Sequence, residues 1–210
     1  MHGEDKILAK TYTDYNTIAD KFSRVRKQPW NEFDFLFEEA KEGERILDLG
    51  CGNGRFYERL KHTDYLGIDN ADELIKLARE KYGEDKFKIG SALDIPGKKD
   101  EFDKVFAIAL LHHLPPLKHK VFIKEIERVL KKGGRAIITV WNMEERKKKN
   151  DVKEIRPNEI LIPWFGAEDH YFYTFSQEEL KNLFKNFKII ETGEIKVKKF
   201  LNYYIIAEKI

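Results

Sequence analysis

Between Asp48 and Phe56 the chain reads DLGCGNGRF, with glycines at 50, 52 and 54. Glycines at these spacings let a backbone turn sharply and approach a ligand without Cβ clashes. A dinucleotide fingerprint is G-x-G-x-x-G, whereas here Gly54 comes one residue early and Asp48 precedes Gly50, which disfavours NAD. No Gly-Lys-Ser/Thr follows, so a phosphate-binding P-loop is disfavoured too. Asp69 falls at the end of the next apolar stretch, where a carboxylate can accept both hydrogen bonds of a ribose diol. Asp94, in SALDIP, is placed to accept from an adenine exocyclic amine, with Ala92 and Leu93 offering apolar contact and backbone amides. Cys51, Gly52 and Asn70 beside these residues, and Ala109 further on, extend the same nucleoside-sized track. Asp48 or Asp69 alone reads equally as a helix cap, and a glycine turn alone is weak; their conjunction carries the inference.

A scaffold must bring these residues to one edge. Apolar spacing predicts helices over 12–22 and after Pro29 to Ala40, so residues 1–42 form a helical cover. From Arg45 the pattern alternates: strand 45–49, helix 55–61, strand 65–68, helix 71–82, strand 86–89, strand 103–110, helix 117–130 and strand 135–140. Such strand-helix repetition implies an α/β, doubly wound, mostly parallel sheet, and the nearly all-apolar 103–110 stretch suits a strand covered on both faces. Residues 143–174 break the rhythm with a charged run, Pro157, Pro163 and aromatics, and are read as an insertion above the sheet that shapes a substrate pocket. Helix 178–186, capped by Ser176, and strands 187–191 and 202–207 close a single domain over 1–210.

On ILDLGCGNGRF, LGID, SALDIP and VFAIALLHHL, the sequence resembles the class I S-adenosylmethionine (SAM)-dependent methyltransferases. The resemblance implies a seven-stranded, Rossmann-like sheet with a reversed last strand. It also implies SAM as cofactor, with Asp48 and the glycines near its methionine part, Asp69 at the ribose and Asp94 at the adenine. Outside these motifs, YNTIADKFSRVRKQPW, ALLHHLPP, ITVW and PWFGAEDHYFYTFSQEEL are similar to the tRNA wobble-uridine carboxymethyl methyltransferases. That similarity implies tRNA as substrate and a small zinc-binding activator subunit as partner, although a chain that works alone as a monomer remains the alternative.

A carboxylate acceptor is already ionised at neutral pH, so its esterification needs positioning more than a strong base. Arg26 is the first candidate to hold it, because guanidinium offers a bidentate fork; a surface arginine is the competing reading. His112 and His113 end the expected fourth strand at the sheet's carboxyl edge, where neighbouring residues point to opposite faces, and His112 is the one assigned to the acceptor, with His113 a substrate contact. Tyr15, Trp30, Trp141 and Tyr171 can stack on an unpaired base, against the competing role of core packing. Lys27, with the basic residues of 146–156, can contact phosphates, though interspersed Glu144, Glu145, Asp151 and Glu154 make a solvated face the rival.

Composition narrows the classes. The 210 residues hold 36% charged and 41% hydrophobic side chains with a net charge of +2, too small by itself to imply nucleic-acid binding. Cys51 is the single cysteine, which excludes an internal disulfide and a multi-cysteine metal site and fits the cytoplasm. The histidine pair lacks partners at metal-ligand spacing, so no metal is expected. No apolar run is long enough to span a bilayer, so no membrane association is expected. A small-molecule methyltransferase, of quinone-biosynthesis or metabolite type, is the alternative to a tRNA enzyme, and a non-catalytic SAM-binding subunit is a further one.

Overall fold

The structure, a computed structural model, describes residues 3–197 and 200–210. Helix α1 (Gly3–Val25) is followed by a 3-10 turn (Asn31–Phe33) and a single α-turn, α2 (Asp34–Phe37). Then come β1 (Arg45–Leu49), α3 (Tyr57–Leu60), β2 (Asp64–Asp69), α4 (Asp72–Tyr82), β3 (Phe87–Ile89), β4 (Phe102–Ile108), α5 (Pro116–Val129) and β5 (Leu130–Asn142). After α6 (Glu144–Lys147), strands β6 (Lys153–Arg156), β7 (Glu159–Trp164) and β8 (Ala167–Tyr173) precede α7 (Gln177–Leu183), β9 (Phe187–Val197) and β10 (Phe200–Lys209).

The main sheet has seven strands in the order β3-β2-β1-β4-β5-β10-β9. The β1–β2, β1–β4, β2–β3 and β4–β5 pairings are parallel, whereas β10 runs antiparallel to both β5 and β9. The reversed last strand is therefore present. Because successive strand residues face opposite sides, adjacent apolar residues feed two separate cores. Leu47, Val105 and Ile138 join α5 and α7 through Phe122, Ile126, Leu180 and Phe184, while Ile46, Phe106 and Ile137 join α2 and α4 through Phe37, Ile75 and Ala78. This two-sided burial is why 105–108 reads as continuous apolar sequence.

Helix α7 starts with the Ser176 and Glu179 capping box that the sequence signals. The largest departures from expectation are in three segments. The helix expected over 12–22 continues back to Gly3, its Ile18, Ala19 and Phe22 stripe packing on Ala71 and Leu74 beside α4. The helix expected between Pro29 and Ala40 shrinks to two short turns, because Phe33, Leu36 and Phe37 are pulled into the core beside β1 and β4. Residues 143–174 fold into α6 and a three-stranded antiparallel sheet, β6-β7-β8, with β8 lying against α1.

Candidate cofactor and acceptor site

The carboxyl ends of β1, β2 and β4 open into a cavity. Its floor is the glycine loop, whose Gly50 and Cys51 N–H groups donate to the Ile68 carbonyl at 2.7 and 3.1 Å, tying the loop to β2. Gly50 adopts φ 75°, and a Cβ there would lie 2.8 Å from Leu110 Cδ1, so only glycine fits. Asp69 accepts from Gly52 N–H and Ala71 N–H, both at 2.8 Å, which braces the loop against the start of α4. Asp69 and Asn70 line one wall, with Ser91, Ala92 and Leu93 beyond them. Ala109 lines the opposite wall in a left-handed conformation, φ 58°, held by its N–H donating to Thr139 Oγ1 at 2.9 Å. Tyr15 and Phe22 of α1 close the cavity from above.

Asp48 and Asp94 stand elsewhere than expected. Asp48 is 1% exposed, lies behind the loop and accepts from the Tyr65 hydroxyl at 2.8 Å. Burial pushes its carboxyl up to about 7, against the opposing pull of Tyr65 and Arg55. Asp94 is exposed at the outer end of the Ser91 turn, outside the cavity lining. Gly54 also lies outside the lining and serves packing against Phe87.

The Asp48 shift has a measurable sign. The folded protein holds this proton to near pH 7, whereas the unfolded chain releases it at the ordinary carboxylate value of 3.8, so unfolding between those values releases a proton. The stabilisation is complete below the unfolded value and is lost as pH rises through about 7. Thermal melts at pH 5 and pH 8 should therefore show the wild type losing more stability on alkalinisation than Asp48→Asn; equal losses would refute the assignment.

The acceptor side of the site also departs from alternation. Strand β4 ends at Ile108, and Leu111–His113 form a 3-10 turn. His112 turns away from the cavity: it is fully buried, its Nδ1 accepts from Trp141 N–H at 3.2 Å, and its ring packs on Trp141 and Phe172. Burial lowers its pKa to about 3, so it is neutral. The catalytic role expected for His112 has no geometry to support it, and His113 instead lines the cavity. There His113 Nε2 meets the Tyr15 hydroxyl at 2.9 Å.

Trp141 and Tyr171 are core residues, Tyr171 donating to Glu159 at 2.9 Å. Lys27 lies outside the main cavity, in a second groove with Arg24, Gln28 and Lys81 that shares Asn53 with it. Trp30 is outside the lining but carries two cations: the guanidiniums of Arg26 and Arg55 sit 4.5 and 4.6 Å from its ring centroid. Arg26 also lies over Phe165, and Arg55 over Phe56.

Arg55 was not singled out in the sequence although it ends the glycine motif. It is 8% exposed and lines the cavity, and its Nη1 is buried without a hydrogen-bond partner. Among the described residues no carboxylate pairs with Arg55 or Arg26. Burial, reinforced by Arg26, pushes the Arg55 guanidinium down to about 10, and burial lowers Arg26 as well. An unpaired buried cation is costly unless a bound anion completes it. Among the described residues no cluster of three potential metal ligands occurs, and no helix is long and apolar enough to cross a membrane.

Comparison with known proteins agrees with this geometry. Residues 47–138 match the family model described as a methyltransferase domain. The tRNA (carboxymethyluridine(34)-5-O)-methyltransferase of Schizosaccharomyces pombe is 28% identical over 168 residues, covering 80% of this chain and 72% of that protein. The tRNA (carboxymethyluridine(34)-5-O)-methyltransferase alkbh8 of Xenopus tropicalis is 32% identical over 143 residues, covering 68% of this chain but only 22% of its own length. A SAM-dependent methyltransferase from Methanosarcina mazei shares the fold, with TM-score 0.73, 24% identity and coverage of 84% of this chain and 97% of that one. So does a putative methyltransferase in complex with the Haloferax volcanii Trm112 activator, with TM-score 0.73, 17% identity and coverage of 95% and 98%. A glycine loop braced by Asp69, a cavity at the carboxyl edge of a seven-stranded sheet and these relatives converge: the chain is a class I SAM-dependent methyltransferase.

Proposed function

We propose that this enzyme methylates a carboxylate oxygen of the carboxymethyl group on a tRNA wobble uridine. The observation that carries the reading is the pair of unpaired guanidiniums, Arg26 and Arg55, on Trp30 beside the cavity. Two carboxylates must be held for this reaction, one on the cofactor's methionine part and one on the acceptor. Arg55, in the cavity wall, suits the first; Arg26, outside the lining, suits the second. The glycine loop lies at the methionine part of the cofactor, and Asp69 orients its ribose. SAM supplies an electrophilic methyl group on a sulfonium. An ionised acceptor oxygen needs no proton removed, so the protein's contribution is alignment and exclusion of water. The names of the relatives and the groove holding Arg24, Lys27 and Lys81, contiguous with the cavity at Asn53, favour an RNA acceptor. The small zinc-binding activator that the family resemblance implies is the partner proposed, and the structural neighbour from Haloferax volcanii is in complex with a Trm112 methyltransferase activator.

The test uses labelled SAM and tRNA from a strain that cannot esterify the wobble carboxymethyl group, followed by nucleoside mass spectrometry. Conversion of the free acid to its methyl ester is expected; label absent from tRNA, with and without the activator, would sink the proposal. Arg26→Ala should lower kcat/KM for tRNA roughly 100-fold, the scale of removing one partner of a buried charge contact. SAM affinity, measured by calorimetry, should stay within a few fold. A parallel loss of SAM binding would instead assign Arg26 to the cofactor.

A further inference from the structure

Behind His113 lies a hydrogen-bonded chain that methyl transfer as described does not use. Asp14, on α1, is ion-paired to Lys10 at 2.8 Å and contacts His170 Nδ1 of β8 at 2.8 Å. His170 Nε2 faces His113 Nδ1 at 3.4 Å, and His113 Nε2 faces the Tyr15 hydroxyl at 2.9 Å. Asp14, His113 and His170 are all buried, and Tyr15 reaches the cavity.

The proton positions follow from what each atom can do. His170 and His113 are held neutral by burial, and Lys10 and His170 keep the Asp14 carboxyl below its ordinary value, hence ionised. An ionised carboxylate only accepts, so His170 carries its proton on Nδ1 and leaves Nε2 bare. His113 Nδ1 then faces two acceptors, His170 Nε2 and the Tyr171 carbonyl at 3.5 Å, and must be the protonated nitrogen. Its Nε2 is bare and accepts from the Tyr15 hydroxyl.

We propose that Asp14 and His170 are positioning residues that fix His113 in the Nδ1–H tautomer, so that Tyr15 presents a hydrogen-bond-accepting oxygen to the cavity. Such an oxygen complements ligand groups with polarised hydrogens, namely an ammonium or a methyl on a sulfonium, both of which SAM carries. Every donor in the chain points away from the cavity, so the acceptor character of Tyr15 is set from two elements far apart in sequence. Asp14→Asn is the informative change. An amide can donate to His170 Nδ1, which would move the His170 proton to Nε2, the His113 proton to Nε2, and reverse the Tyr15 hydroxyl.

The test is long-range ¹H–¹⁵N NMR of histidine-labelled protein without ligand, with His113 assigned by comparison with His113→Asn. Nδ1–H signals for both His113 and His170 are expected in the wild type, and an Nε2–H or mixed His113 signal in Asp14→Asn. An Nε2–H His113 in the wild type overturns the proposal and needs no variant to fold; an unchanged His113 in a folded Asp14→Asn overturns it too. This readout is independent of the methyl acceptor, so its failure is distinct from failure of the tRNA reading. For the cofactor consequence, Tyr15→Phe and Asp14→Asn should each weaken SAM binding about tenfold in calorimetry, and the double variant no further. Multiplying losses would make the chain merely structural.

Discussion

Arg55→Met is expected to raise the melting temperature while reducing SAM affinity roughly 100-fold, the scale of losing one partner of a buried charge contact. The opposite signs follow from one fact: a guanidinium 8% exposed, with a buried Nη1 that no group among the described residues satisfies. Replacing such a cation by an apolar side chain of similar length removes a desolvation cost, and comparable replacements are neutral or stabilising by about 1–4 kcal/mol. At the folded protein's size this is a gain of several degrees, on the order of 2–4 °C per kcal/mol. Binding moves the other way because the ligand carboxylate loses its fork. Differential scanning calorimetry and SAM titration on one preparation check both signs. A fall in melting temperature with unchanged SAM binding would show that Arg55 is a packing residue and would remove the main support for an anion-holding site.

Gly54→Ala should cost about 3 kcal/mol and lower the melting temperature by about 10 °C. Gly54 sits at φ 71°, which any Cβ strains, and that Cβ would meet the Phe87 ring at 2.7 Å and Ala78 Cβ at 3.2 Å. Phe87 is fully buried and packed against Tyr57, Tyr65 and Tyr82, so the ring has little room to withdraw. Because Gly54 is outside the cavity lining, the folded fraction should bind SAM within a few fold of wild type. Melting curves with and without SAM separate the two effects. A variant as stable as wild type would mean that the loop relaxes away from β3.

The two variants also mark what local sequence can and cannot convey. The glycine loop was legible because its spacing encodes a turn and that turn's chemistry together, and strands β1, β2 and β4 were legible because two-sided burial leaves an apolar signature. Alternation points His112 at the acceptor, but the strand stops at Ile108, where the left-handed Ala109 and a 3-10 turn end the alternation. Asp48 and Asp94 carry the right residue type at the right motif position, but one lies behind the loop and the other faces outward. Arg55 was invisible for a different reason: its significance is the absence of a partner, a property of space and not of neighbours in sequence. The same holds for Asp14 and His170, which no periodicity relates. The aromatic-rich 31–37 stretch has helical spacing, yet core burial of three of its side chains outweighs helix propensity.

The contact between Asp14 and His170 joins positions 156 apart in the chain. Helix α1 is the first described element to be synthesised, yet the strand against which it rests, β8, follows five of the seven main-sheet strands. During translation the Asp14–His170 link therefore cannot form until β8 has left the ribosome, and loop closure over such a span is among the late, entropically demanding steps of folding. The polar anchor behind His113 is thus completed only after the first five strands of the main sheet have been made.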